Sequence, residues 1–389
     1  MTRQDRVARS IVYAILFADD SSPPKAGSLL SRILAVVTAF FTLFQLNLTR
    51  VRSDLFSTLR STSWSLPDDT YLSSFEGSPS DVLNSTEDMG FSGSTFFTTR
   101  DSKYIIKSVP RHFEHSFFRD EFLVPYAAHM RQYTGSLLVR ITDFLAQNST
   151  SIGGLLGLAP THHIVMANLL SGKAEAESYT DAEGGKTAEW ETYDLKPTSY
   201  FVPERDIARG ALTSEATKKR LTDQFDGKLS LRKEEAQELV KQLHKDTDVL
   251  REANSVDYSL FLVRIPLLEH TSEGDGDGTA VAAERSEGQD ATDTEPPPPP
   301  HDPPFTPPSP PSWITGVPSA DGKYVYRMCV LDFFWGRHKP HAKLMGLLIS
   351  GWNVVVDRSA GPMSITTTAE DYKERFMEMC EELVEIEEE

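Results

Sequence analysis

Between Thr271 and Ser319 the chain carries a tract that no hydrophobic core can use: a Gly-, Asp- and Glu-rich stretch, then Pro296 to Pro300, then further prolines through Pro318. Proline removes backbone donors and the acidic half repels itself, so the tract predicts a disordered or partly extended insertion. Its position constrains the fold more than its content does. It separates the apolar strand candidate Leu260 to Leu268 from a second, Tyr324 to Trp335, so two strands of one lobe must be joined across a long surface loop. A second polar insertion, Ser171 to Trp190, separates Ile164 to Leu170 from Asp194-Leu195-Lys196.

The 389 residues leave room for two or three domains, or for one two-lobed unit with irregular additions. A net charge of -18 excludes a general nucleic-acid binder and argues against broad attraction to anionic membranes, so an anionic substrate needs a local basic patch. Cys329 and Cys380 each stand beside apolar residues, which excludes a disulfide framework or structural zinc site and favours a reducing compartment, the cytosol by default. The sequons at Asn47, Asn84 and Asn148 are read as unmodified. The charge-free run Ile33 to Thr49 has 17 residues, short of the roughly 20 needed to span a bilayer. Thr38, Thr42, Gln45 and Asn47 interrupt it, and it reads as a buried or interfacial helix. Arg3, Arg6 and Arg9 before Ile11 to Ala18 resemble the start of a signal peptide, but Asp19 and Asp20 follow at once and no small-residue cleavage site stands out, so secretion is discounted.

Upstream of the insertions, Ser94 to Thr99 and Lys103 to Val109 read as a β-hairpin turning at Arg100-Asp101-Ser102. Phe117 to Tyr133 has helical spacing of Phe118, Phe122, Tyr126 and Met130, while Leu137 to Phe144 and Thr161 to Leu170 look extended. Lys233 to Leu250 and Ala369 to Val384 are the strongest amphipathic helices. Strand pair, helix, further strands and late helices make an α+β pattern.

Three acidic stations punctuate the second half: Asp194-Leu195-Lys196, Asp257-Tyr258-Ser259-Leu260 and Val330-Leu331-Asp332. The last two lie in or beside apolar runs, where an unpaired carboxylate is costly and a metal ion or basic partner is the expected compensation. Upstream, Gly90-Phe91-Ser92-Gly93-Ser94 is a loop whose amides can turn toward a phosphate, although Gly-Ser loops are more often plain turns. Lys107 stands in the otherwise apolar strand Tyr104-Ile105-Ile106-Lys107 and either reaches a nucleotide's phosphates or faces water from an edge strand. Glu121, on the next helix, is placed to pair with Lys107 or to face solvent. His162-His163 and His338 with His341 lack cysteine or carboxylate partners at ligand spacing and read as ordinary polar residues. Together these features point to phosphoryl transfer, a reaction run by positioning and charge neutralisation.

In this order the motifs resemble those of the phosphatidylinositol phosphate kinases. Ser92 to Phe97 and Ile105 to Lys107 resemble that family's nucleotide loop and lysine strand, and Val165-Met166-Ala167-Asn168 its hinge beside the adenine. Asp194-Leu195-Lys196 is similar to the start of its Asp-Leu-Lys-Gly-Ser motif, and Val256-Asp257-Tyr258-Ser259-Leu260 to its Met-Asp-Tyr-Ser-Leu-Leu, with Asp246 and Leu250 matching an Asp and a Leu that precede it. Val330-Leu331-Asp332 resembles its Ile-Ile-Asp magnesium site, and Tyr372 to Phe376 its closing Tyr-x-x-Arg-Phe helix. The resemblance covers roughly Phe56 to Leu383 and implies a two-lobed α+β lipid-kinase fold of the SAICAR synthase-like type, distantly related to protein kinases. It implies an N-terminal helical or apolar segment 1-55, an N-lobe 56-170 and a C-lobe 171-389 holding the insertion 271-319.

The cofactors it implies are ATP and Mg2+, and the partner a phosphoinositide lipid met peripherally at a membrane from the cytoplasm, with no nucleic acid. By the same resemblance Gly90, Ser92, Gly93 and Ser94 would cover the phosphates and Lys107 clamp them. Glu121 would be the helix partner of Lys107, and Met166 and Asn168 would line the nucleotide. Asp257, Lys196 and Asp194 would be catalytic, and Asp332 with Asp257 would hold metal. A homodimer stays open, and the proline-rich insertion is a candidate ligand for SH3- and WW-type modules. The sequence departs from the family at Pro197-Thr198, at Phe261-Leu262-Val263, and at Leu344 to Val356, which keeps apolar residues but contains no Lys or Arg. Basic residues remain at Arg337, Lys339 and Lys343. These departures leave two further readings, a pseudokinase or scaffold of the same fold and a soluble inositol polyphosphate kinase.

Overall fold

Strand alternation decides how the first lobe is layered. In Tyr104 to Ser108 the residues Tyr104, Ile106 and Ser108 are buried on one face while Ile105 and Lys107 turn to the other. The structure is a computed structural model that describes residues 3–17, 46–86, 94–147, 159–176, 189–197, 223, 225–267, 311–336 and 368–387. Six strands form the N-lobe sheet: β1 (Leu48–Arg50), β2 (Leu83–Thr86), β3 (Phe96–Thr99), β4 (Tyr104–Ser108), β5 (Ile141–Gln147) and β6 (His162–Ala167). Their order is β1-β5-β6-β4-β3-β2, and every neighbouring pair is antiparallel.

One face of this sheet is covered by α1 (Arg3–Phe17), whose Val7, Ile11 and Ile15 pack with Leu48, Phe97, Tyr104, Ile106 and Val165. Short helices α2 (Ser53–Thr58, continued by a wide π-helical turn Leu59–Ser63), α3 (Asp68–Ser73) and α4 (Pro79–Val82) follow. They are pinned by a buried ionic cluster in which Arg50 and Arg60 flank Asp143 and the Tyr71 hydroxyl donates to it at 2.8 Å. The other face receives α5 (His112–Phe117), a π-helical turn Phe118–Phe122 and α6 (Leu123–Gln132), with Phe117, Phe118, Phe122 and Tyr126 in the core.

The C-lobe sheet contains β7 (Glu191–Leu195), β10 (Ser259–Pro266), β11 (Val317–Pro318) and β12 (Tyr324–Leu331) in the antiparallel order β11-β12-β10-β7. Between β7 and β10 lie β8 (Leu229–Leu231), α7 (Lys233–Glu252) and β9 (Ser255–Val256). After β12 come β13 (Trp335–Gly336), α8 (Ala369–Leu383) and β14 (Val384–Ile386), with β13 against β9 and β14 parallel to β8. β10 and β12 pair from Ser259↔Leu331 to Pro266↔Tyr324, so the proline-rich tract does connect two partnered strands.

The hairpin, both late helices and the extended segments stand where the spacing puts them. The central helix begins at His112 rather than Phe117, because Phe113 and Phe117 already face the core. The segment 1-55 is not separate from the N-lobe: β1 pairs with β5 and α1 packs on the same sheet. The end of the run 33–49 is strand rather than helix, since Leu48 and Thr49 pair with Gln147 and Ala146; residues 33–45 lie outside those described. Among the described residues no helix is long and apolar enough to cross a membrane.

Candidate functional site

The two acids Asp257 and Asp332 mark the same interruption in one two-stranded ribbon. β10 and β12 are paired with Ser259 opposite Leu331, and β9 and β13 resume the pairing with Val256 opposite Trp335. Two residues on one strand, Asp257 and Tyr258, are therefore set against three on the other, Asp332 to Phe334, which is a bulge that bends the ribbon. Both acids adopt the left-handed conformation, Asp257 at φ 67 and Asp332 at φ 60. Aspartate tolerates this region better than most residues, yet holding it there still costs free energy, and such residues cluster at functional sites. The bend is gripped from behind. The Tyr372 hydroxyl donates to the Tyr258 carbonyl, and the Tyr372 and Phe376 rings meet the Tyr258 ring edge-on at 4.7 and 4.9 Å. This is the work of the Tyr-x-x-Arg-Phe pattern in α8.

β7 brings the third station to the same end. Leu195 lies opposite Leu260 and Asp194 opposite Phe261, which puts Asp194 on the face that carries Ser259. Asp194 is exposed to solvent, yet crowding by the surrounding chain, partly offset by Ser259 and Lys196 and reinforced by the fields of Asp332 and Asp223, raises its pKa. Lys196 donates to both the backbone carbonyl and Oδ1 of Asp257 at 2.8 Å. Burial disfavours its charge, but Asp257, with Asp332 and Asp194 behind it, more than compensates and raises its pKa. Pro197 is buried directly after it, and the β7 pairing with β10 ends one residue before Lys196, at Leu195 opposite Leu260.

From the N-lobe, Lys107 projects from the face of β4 opposite α1 and forms an ion pair with Asp332. Crowding by the surrounding chain alone would push the Asp332 pKa up, although part of the side chain stays exposed; Lys107, helped by Lys196 and Arg111, holds it below the usual carboxylate range. Asp332 keeps 42% of its side chain exposed and Asp257 38%, so both are open to a ligand. Two lysines and three aspartates from four strands of two sheets thus converge, with each lysine on one acid. The carboxylates are hard donors on exposed bends, the kind that hold Mg2+ through one or two carboxylates plus nucleotide phosphates. Among the described residues no three His, Cys, Asp or Glu side chains are grouped so that they could hold a metal ion.

The remaining expected residues divide. Gly90, Ser92 and Gly93 lie outside the described residues, as do Arg337, Lys339, Lys343 and Leu344 to Val356; Ser94 is described and buried. The partner expected at Glu121 is replaced: Lys107 pairs with Asp332, and the helix carboxylate whose charge couples to both is Glu114, held by Arg111 at 3.0 Å. The Arg111-x-x-Glu114 spacing at the start of α5 was the available signal. Met166 lies in β6 opposite Ile105. The Asn168 amide donates to Ser102 O at 2.7 Å and accepts from Leu170 N at 3.0 Å, which ties the end of β6 to the turn between β3 and β4. Ser259, beside Asp194, was not singled out as a site residue.

The family model for Phosphatidylinositol-4-phosphate 5-Kinase matches residues 78–383. Among curated proteins the chain is similar to "Phosphatidylinositol 4-phosphate 5-kinase 1" of Arabidopsis thaliana, 28% identical over 184 residues that make up 47% of this chain and 21% of that protein. The chain thus matches about a fifth of that relative's length. The antiparallel two-sheet architecture has the α+β form of a lipid kinase, and with the family model covering residues 78–383 the chain belongs to the phosphatidylinositol-4-phosphate 5-kinase family.

Proposed function

We propose that this chain transfers the γ-phosphoryl group of ATP, with Mg2+, to an inositol-ring hydroxyl of a phosphoinositide at a membrane surface. The observation that carries the reading is the convergence of Lys107, Asp332, Asp257, Lys196 and Asp194 at one end of the C-lobe sheet. Phosphoryl transfer needs this mixture: cations along the phosphate oxygens and a carboxylate at the attacking hydroxyl. Asp257 accepts the hydroxyl proton while the ring oxygen forms a bond to the γ-phosphorus. The bond from that phosphorus to the bridging oxygen breaks, and the electron pair leaves on ADP. Lys196, already within 2.8 Å of Asp257, is placed to follow the phosphoryl group across. Lys107 exchanges Asp332 for the nucleotide's phosphates, and Asp332 and Asp257 would hold Mg2+. When bound, the ion neutralises charge on the β- and γ-phosphate oxygens.

The test is incubation with labelled ATP in two arms, liposomes carrying monophosphorylated phosphoinositides and soluble inositol phosphates. Lipid should be labelled, and Asp332→Ala should reduce the rate by about 10²-fold or more. Transfer that persists unchanged in Asp332→Ala would sink the mechanism. Labelling of soluble inositol phosphates alone would replace the lipid by an inositol polyphosphate as substrate.

A further inference from the structure

One fully buried acid outside the site touches the supports of both catalytic acids. Asp246, on α7, is 0% exposed. His129 Nε2 at 2.5 Å, Ser136 Oγ at 2.8 Å and Gln242 Nε2 at 2.9 Å meet its Oδ1, and the Leu137 backbone N–H meets its Oδ2 at 2.7 Å. The Ser136 hydroxyl, the Gln242 amide and the Leu137 N–H donate to it, and His129 Nε2 makes the fourth hydrogen bond. Only Gln242 comes from the same helix; the others belong to α6 and to the segment leading into β5.

That segment hands the constraint to the metal-side acid. The Leu137 carbonyl accepts from Val330 N at 2.7 Å, and Val139 N donates to the Val330 carbonyl at 3.0 Å, so residues 137–139 run beside the last turn of β12. Val330 stands two residues before Asp332. In the other direction α7 continues through Asn254, in the left-handed conformation at φ 56, into β9 and Asp257. The Ser255 hydroxyl donates to the Phe333 carbonyl at 3.0 Å, closing the loop between the two arms.

We propose that Asp246 is a positioning residue for phosphoryl transfer: by anchoring residues 136–139 it sets where Asp332 stands relative to Asp257. This rests on the phosphotransferase reading above. A well-packed apolar residue would serve stability as well as a buried charge does. What four converging hydrogen bonds add is a single permitted geometry.

Asp246→Asn keeps the size and one acceptor but turns an NH₂ toward a donor. It should lower kcat by about 30-fold while KM for ATP changes less than about twofold, since Lys107 itself keeps its place on β4. Amide exchange at Leu137 and Val330 should accelerate about tenfold or more, with Leu262 and Val263 in mid-β10 at wild-type rates. Ser136→Ala, which removes the bond to Asp246 and the one that Ser136 Oγ accepts from Leu138 N at 3.2 Å, should give the same pattern more weakly and serves if Asp246→Asn does not fold. Unchanged kcat with unchanged exchange overturns the proposal, and so does acceleration spread equally over all amides, which marks a structural role only. If the wild type transfers no phosphate, the phosphotransferase reading fails, and the exchange pattern still decides whether Asp246 holds Val330.

Discussion

At the scale of single residues, unpaired groups are as informative as paired ones. His163 is 0% exposed, neither ring nitrogen has a hydrogen-bond partner, and burial drives its pKa from 6.5 to about 3. Its neighbour His162, stacked on His115 at 3.5 Å, is pushed down to about 4 and His115 to about 3, in both cases first by burial. These depressed values mean that the folded protein refuses protons the unfolded chain accepts. Stability is therefore full above pH 6.5 and declines as pH falls toward 3. By pH 5 His163 alone should cost roughly 2 kcal/mol. Thermal melts at pH 7 and pH 5 should show a drop in Tm that is several degrees smaller in His163→Leu; equal drops would assign the acid sensitivity elsewhere. The same scale shows what could be read directly from the chain. Asp257, Asp332, Lys107 and Lys196 each stand out by a local contrast, a charge in or beside an apolar run. Glu114 does not, because a helical glutamate three residues after an arginine looks like ordinary surface until Lys107 is brought across to it.

Among elements, the long periodic ones were legible and the short ones were not. α7 and α8 repeat their apolar spacing over several turns, whereas β1, β9 and β13 have two or three residues and owe their conformation to the strand beside them. β13 shows how tightly such a piece is fitted. A Cβ on Gly336 would meet Cδ2, Cε2 and Cγ of Phe117 closer than carbon atoms pack, so only glycine lets β13 pass under α5. Gly336→Ala should cost about 1–3 kcal/mol through this overpacking. Since α5 also carries Glu114 and starts directly after Arg111, catalytic turnover should fall along with stability, measured by urea unfolding and initial rates on one preparation. Wild-type values in both would show that the helix gives way freely. The π-helical turn at Phe118–Phe122 was likewise hidden, because a register of five and a register of four place many of the same aromatic residues inward.

For the molecule as a whole, separation along the chain obscured what the sheets assemble. Lys196 and Asp257 are 61 residues apart and Lys107 and Asp332 are 225 apart, and only strand order makes them neighbours. The proline-rich tract is the opposite case, conspicuous in sequence; residues 268–310 lie outside those described, while its end, expected to be disordered, is ordered, with Val317–Pro318 forming β11 and Trp313 packed on the core. The paired strands end at Pro266↔Tyr324, with Leu267 N donating to Lys323 O at 2.8 Å, and the chain re-enters the fold by residues 312–318. Replacing residues 271–308 by a short Gly/Ser linker should therefore leave transfer activity intact and Tm equal or slightly higher, since loop closure costs only about 0.6 kcal/mol per doubling of length. Loss of folding would give the tract a structural role. The bent ribbon has one more consequence. Asp257, Asp332, Asp194 and Lys196 all belong to the C-lobe strands or the turns between them, and Lys107 reaches them from the other sheet. Lys107 and Asp332 thus join the two sheets by one ion pair, and under the phosphotransfer proposed above a triphosphate would have to take that ammonium from its carboxylate.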